Sequence, residues 1–136
     1  MIDVKIKGIP VNIYRKAKAA HLKIGRRGEN IASSFLASRN FDIILRNYRC
    51  SSGEIDIIAR DGSTICFVEV KTRRHNSKSR PARGLTEKQR KRIRKAANHY
   101  MNKINNPLMP FRFDLLEVIL SPWDIRELRY WKGEIR

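Results

Sequence analysis

Between residues 22 and 38 the apolar positions Ile24, Ile31, Ala32, Phe35 and Leu36 recur at helical spacing and predict an amphipathic helix. Gly28 falls on the same stripe, where the missing side chain would permit close approach of a neighbouring strand. The period then shortens. Residues 41–48 read as a strand, and Ser51-Ser52-Gly53 turns the chain into a second strand at 54–60. Asp61-Gly62 is a strong two-residue hairpin signal, and residues 64–71 form the third strand. Ile55, Ile57, Ile58, Ile65, Phe67, Val68 and Val70 leave few polar positions on either face, as in strands covered on both sides.

A basic loop containing Gly and Pro follows at 72–85. Thr86 then has the character of an N-cap, and Gln89 three residues on completes a capping box. Ile93, Ala96, Ala97, Tyr100, Met101 and Ile104 make the apolar stripe of this second helix, which Pro107 and Pro110 terminate. Residues 111–120 are a fourth strand, and an edge strand is expected near 127–131, beyond Pro122. The order is α-β-β-β-α-β with one further β: an antiparallel meander followed by a helical crossover. This is an α/β (α+β) chain with a mixed sheet flanked by helices.

Residues 1–20 are basic, weakly patterned and broken by Gly8 and Pro10. They read as an extension of uncertain order, with a short helix across 14–20, ahead of a single domain at 21–136. A chain of 136 residues suits one domain and can bury a core without staples.

Charge changes the picture more than length does. Thirty Lys and Arg against thirteen Asp and Glu give a formal net charge of +17, which predicts nucleic acid, or less often an anionic membrane surface, as partner. Cys50 and Cys66 are too few for a disulfide framework and lack zinc-site spacing, so they read as thiols in a reducing cytosol. No apolar run reaches the length of a membrane span, and the N-terminus lacks an apolar secretory core. A soluble, cytoplasmic protein without membrane partners is the expectation.

Against that basic background, acids interrupt the apolar strands. Glu54 and Asp56 lie in one arm of the hairpin, Glu69 and Lys71 in the other. An unpaired buried carboxylate is costly enough to shift its pKa, so such residues need a reason. Glu69 and Lys71, two apart, share a strand face. Counting outward from Asp61-Gly62 sets Asp56 opposite 65–67, so convergence with Glu69 requires twist or a slipped register. If they converge, they offer the hard oxygen ligands that Mg²⁺ prefers, with Lys71 as a cation that orients water or offsets phosphate charge rather than a general base. The competing arrangement is a salt-bridge cluster in which Lys71 neutralises Glu69 and Asp56.

Gly25-x-x-Gly28-Glu29, Gly53-Glu54-Ile55-Asp56, Phe67-Val68-Glu69-Val70-Lys71-Thr72-Arg73 and Arg112-Phe113-Asp114, in that order, resemble the YraN-like family of small bacterial proteins. That family is similar to the PD-(D/E)xK restriction-endonuclease-like nucleases and, among them, to archaeal Holliday-junction resolvases. The resemblance runs from Gly25 to the end of the fourth strand. It implies a restriction-endonuclease-like core and a metal-dependent nuclease acting on DNA, including branched or junction structures. Asp56 and Glu69 are then the metal ligands for Mg²⁺ or Mn²⁺, Lys71 the catalytic lysine, and Glu29 an accessory that holds metal or water. Asn40, where a glycine is usual, and Arg83-Gly84, where an aromatic-glycine pair is usual, depart from the pattern and bear on substrate contacts. Glu29 has an alternative as a carboxylate opposing the helix dipole or pairing with Arg26 or Arg27. Glu54 reads as a supporting or salt-bridging residue, and Asp114 as a structural partner for an arginine.

Between Lys71 and Lys95 stand twelve Lys or Arg and one acid, Glu87. Arg73, Arg74, Lys78, Arg80, Arg83, Lys88, Lys91, Arg92 and Lys95 are the expected phosphate contacts, because a polyanion held by them would lie across the acidic strands. His75 belongs with them as a phosphate contact. DNA ranks ahead of RNA, and a homodimer is compatible with the pattern. Trp123, Tyr130 and Trp131 could stack on unpaired bases, although packing is the commoner fate of such side chains. The rival function is a non-catalytic DNA- or RNA-binding module whose acids form a structural ion-pair network.

Overall fold

The computed structural model describes residues 4–10, 24–75, 85–133 and 135. Eight elements follow one another: β1 (Val4–Pro10), α1 (Ile24–Ser38), β2 (Asp42–Cys50), β3 (Gly53–Asp61), β4 (Thr64–Arg74), α2 (Glu87–Ile104), β5 (Phe111–Leu120) and β6 (Asp124–Trp131). The strands make one six-stranded sheet in the order β1-β6-β5-β4-β3-β2. Only β4 and β5 run parallel, because α2 carries the chain across between them; the other neighbours are antiparallel.

The helices cover opposite faces. Ile31, Ala32, Phe35 and Leu36 of α1 pack with Ile57, Ala59, Val68, Val70, Leu116 and Val118 on one side. Ala96 and Ala97 of α2 pack with Ile55, Ile58, Ile65 and Phe67 on the other. That double cover is why β3 and β4 are apolar on both faces. The α2 start is the expected capping box: Gln89 N donates to Thr86 Oγ1 at 3.1 Å, and Thr86 N donates to Gln89 Oε1 at 2.8 Å. Its end is an αL cap at Asn105, whose N–H donates to Met101 O at 3.1 Å.

Three expectations change. Residues 4–10, read as part of an extension of uncertain order, form a strand on β6, with Lys5 3.8 Å from Glu127. The strand near 127–131 is therefore interior, not an edge. Pairing over so long a sequence separation leaves no local signature. The basic loop also begins later than expected, because pairing with β5 continues to Arg74↔Leu120 and holds β4 extended. The helix read at 14–20 and most of the remaining loop lie outside the described residues.

Cys66 is buried and Cys50 half-buried, both as free thiols. Burial, with Asp114 nearby, pushes the Cys66 thiol up to about 12, so it packs as a small apolar group. Among the described residues no helix is long and apolar enough to cross a membrane.

Candidate metal and phosphate site

The hairpin between β3 and β4 turns at Gly62-Ser63, with Gly62 at φ 61 and Asp61 paired to Thr64. The turn lies one residue later than Asp61-Gly62, and this moves every cross-strand partner by two. Ile57 faces Val68, so the next position outward sets Asp56 against Glu69, not against 65–67. The register obstacle is removed.

Beyond Ile57↔Val68 the strands part, and the Asp56 side chain enters the fork. Its Oδ2 accepts from Val70 N at 2.8 Å, taking the place of a ladder carbonyl. The Asp56 carboxyl also lies close enough to Glu69 and to Glu29 of α1 to raise both. Burial, then the charge of Asp56, hold Glu69 well above the usual carboxylate range; the Lys71 cation opposes that shift without cancelling it. Glu29 is raised for the same two reasons, burial first, with Arg46 opposing.

Glu29 reaches this group because α1 presses on β4. A Cβ at Gly28 would lie 1.8 Å from Thr72 Oγ1, so only glycine permits the contact expected of it. Glu29 makes no ion pair with Arg26 or Arg27; its partner is Asp56. Gly53 does the corresponding work on the other face, where a Cβ would meet the Arg92 carbonyl oxygen at 2.5 Å. There a cavity of about 190 Å³ is lined by Glu54, Glu69, Lys71, Gln89, Arg92 and Ile93.

The four expected catalytic positions, Asp56, Glu69, Lys71 and Glu29, therefore come together midway along β4, where β3 parts from it. The phosphate contacts divide. Lys88, Lys91, Arg92 and Lys95 are exposed on α2, and Arg92 borders the carboxylates. Arg74 and His75 are exposed at the end of β4. Arg73, in contrast, is turned to Glu117: its Nε lies 2.7 Å from Oε2, an ion pair short of hydrogen-bond alignment. Lys78, Arg80 and Arg83 lie outside the described residues. Tyr130 and Trp131 are buried in the core, whereas Trp123 is 86% exposed.

In the remaining acids the charge is matched. Asp42, Glu54, Asp61, Glu87, Asp114, Glu117, Asp124 and Glu127 each have a Lys or Arg partner. Glu29, Asp56 and Glu69 make no ion pair with any described residue. Among the described residues no group of three or more His, Cys, Asp or Glu is preformed to enclose an ion. The donor set is a carboxylate pair with Glu29 behind it, which suits Mg²⁺ because that ion keeps waters and takes only one or two carboxylates. Sequence reasoning overlooked Arg46 and Arg49 on β2, which border Glu29 and carry no spacing signal.

The sequence model of the uncharacterised protein family UPF0102 matches residues 28–118, a span that includes all four acidic-site positions. A UPF0102 protein of Chlorobaculum parvum is 40% identical over 111 residues, covering 82% of this chain and 86% of the relative. One from Dictyoglomus turgidum is 43% identical over 100 residues, covering 74% and 85%. Another, from Nocardia farcinica, is 41% identical over 99 residues, covering 73% and 78%.

Proposed function

This chain belongs to the UPF0102 family, and we propose that it is a nuclease that hydrolyses phosphodiester bonds with the aid of a divalent cation, with DNA as its substrate. The observation that carries the reading is the unmatched charge. In a chain with thirty cations, the three described carboxyls left without one stand together midway along β4. A structural ion-pair network would have recruited Lys71 or Arg92, both of which line the same cavity as Glu69.

Asp56 and Glu69 would hold Mg²⁺ or Mn²⁺, and Glu29 would hold Asp56 or an attached water in place. When bound, the ion polarises the phosphate and lowers the pKa of a bound water. Val70 N fixes the Asp56 carboxyl in the fork. Lys71 stands beside Glu69 on the same strand face and orients or offsets charge on the phosphate. Arg92, Arg74 and the exposed lysines of α2 draw the polyanion across the carboxyls.

The test is to incubate the protein with supercoiled, single-stranded, flapped and four-way-junction DNA, and with RNA, in Mg²⁺ and in Mn²⁺, beside Asp56→Ala and Lys71→Ala. Cleavage that needs the metal and is lost in both variants supports the proposal. Salt-sensitive binding without cleavage of any substrate would leave a nucleic-acid-binding module and overturn the nuclease reading.

A further inference from the structure

On the side of the acidic group away from α2, the first turns of α1 and the edge strand β2 enclose a cleft of about 730 Å³. Arg26, Glu29, Asn30, Arg46, Asn47 and Arg49 line it. Two observations join it to the carboxyls. Glu29 belongs to both, since it lines the cleft and lies within reach of the Asp56 charge. Asn47 lies between the pairs Arg46↔Ile57 and Tyr48↔Ile55, which sets it beside Asp56 on the neighbouring strand. Its φ of 54 bends β2 at this point.

The lining is rich in donors. Among the described residues three guanidiniums face one carboxylate, and that carboxylate lies against Asp56. Arg46 is steadied by Asn30, whose Oδ1 accepts from Nη2 at 2.7 Å, which leaves its other donors for a ligand. Arg49 is 75% exposed and only loosely held, 3.4 Å from Glu54. Arg26 is exposed and makes no ion pair with a described residue. Among the described residues no lysine lines the cleft, and arginine's planar fork matches phosphate oxygens where an ammonium supplies only a point charge.

We infer that this cleft seats backbone phosphates of the same nucleic-acid strand that crosses the carboxyls. The strand then runs between Arg26, Arg46 and Arg49 on one side and Lys71 and Arg92 on the other. The inference rests on the nucleic-acid reading of the site but not on cleavage, because the arginines would hold a backbone whether or not it is cut. It adds a second cationic wall, on α1 and β2, to the one that the sequence places at residues 73–95.

The test measures binding of short labelled single-stranded and duplex DNA by the full chain in EDTA, as a function of salt. Arg26→Gln/Arg49→Gln is compared with a control of equal charge, Arg39→Gln/Lys103→Gln, at the far ends of α1 and α2. The cleft variant should bind at least about tenfold more weakly, with a log K–log salt slope shallower by about two, at roughly 0.9 per lost contact. The control should keep the wild-type slope. All four residues are exposed, so thermal unfolding should be unchanged, and Arg46→Gln serves as an independent third removal.

Equal slopes for the cleft variant and the control would overturn the inference. So would loss of pyrophosphate binding with DNA binding intact, which would mark a site for free phosphate compounds. Cleavage by Asp56→Ala separates the two proposals: wild-type activity in that variant takes the assigned carboxyls out of the reaction, while binding measured in EDTA decides the cleft.

Discussion

Two acidic clusters lie on the same sheet and are treated in opposite ways. At Asp114, Arg112 Nε donates to both carboxylate oxygens at 3.0 and 3.1 Å, Gly133 N donates at 2.8 Å, and the Tyr130 hydroxyl donates as well. Arg112 extends the network by donating to Asp61 Oδ2 at 3.0 Å. Burial and the Asp114 charge push the Tyr130 hydroxyl's pKa upward, which keeps it a donor. Glu117 is likewise held between Arg73 and Arg129. Every charge there is answered, as burial demands. At Glu29, Asp56 and Glu69 the carboxyls instead stand against one another, and the nearest cations stop short of pairing. The first arrangement serves the fold; in the second the carboxyls are left without a cation among the described residues.

The contrast can be broken most forcefully at Asp114. Asp114→Ala leaves the Tyr130 hydroxyl and the Gly133 amide without their acceptor and Arg112 with Asp61 alone, and should cost about 3–5 kcal/mol in urea unfolding. Asp56→Ala leaves only the Val70 amide without its acceptor and should cost less, about 1–3 kcal/mol. Equal losses would mean that both clusters are structural.

In activity the order should invert. Asp56→Ala and Glu69→Gln should lower metal-dependent cleavage by more than the ~10–100-fold typical of a ligand's outer partners, and Glu29→Gln by an amount inside that range.

Gly28→Ala comes next. Its Cβ would collide with Thr72 Oγ1, forcing α1 outward at about 1–3 kcal/mol of stability and displacing Glu29. Thr72→Ala should restore part of both stability and cleavage; no rescue would mean that the helix is positioned by other contacts.

The smallest effect is a pH dependence. Glu69 is raised above 4.5 in the folded chain, so the folded state binds the extra proton. Its contribution to stability is therefore present in acid and is lost as pH rises above that value. In EDTA the melting temperature of wild type should fall relative to Glu69→Gln between about pH 5 and 8, and Mg²⁺ or Mn²⁺ should recover it at the upper end by binding the ionised pair. No recovery with either ion would count against the carboxyls as ligands.

Much of this site was legible in one dimension because a tight hairpin is local. Gly53-Glu54-Ile55-Asp56 and Phe67-Val68-Glu69-Val70-Lys71 are joined by so short a turn that their neighbourhood follows from the chain itself. The error lay in the turn: Asp61-Gly62 carries the strongest dipeptide signal, but Asp61 is drawn into the ladder by Thr64 and tied by Arg112 from β5. A side chain more than fifty positions away thus helps to hold the local register. Arg73 was read as a phosphate contact for a similar reason, since its partner Glu117 is far along the chain.

The amino-acid pattern by itself determined the two long helices, the meander, the crossover, the capping box at Thr86 and the presence of acids on both arms of one hairpin, but not the register that sets Asp56 against Glu69. Each of these depends on side-chain period or on residues a few positions apart. Tertiary structure alone decided that β1 closes the sheet beside β6, that Gly28 brings Glu29 to Asp56, and that Arg26, Arg46 and Arg49 share a cleft. It also decided which acids are matched by cations and which are not. Charge pairing depends on distance in space, and thirty cations distributed along a sequence carry no record of which anions they will meet.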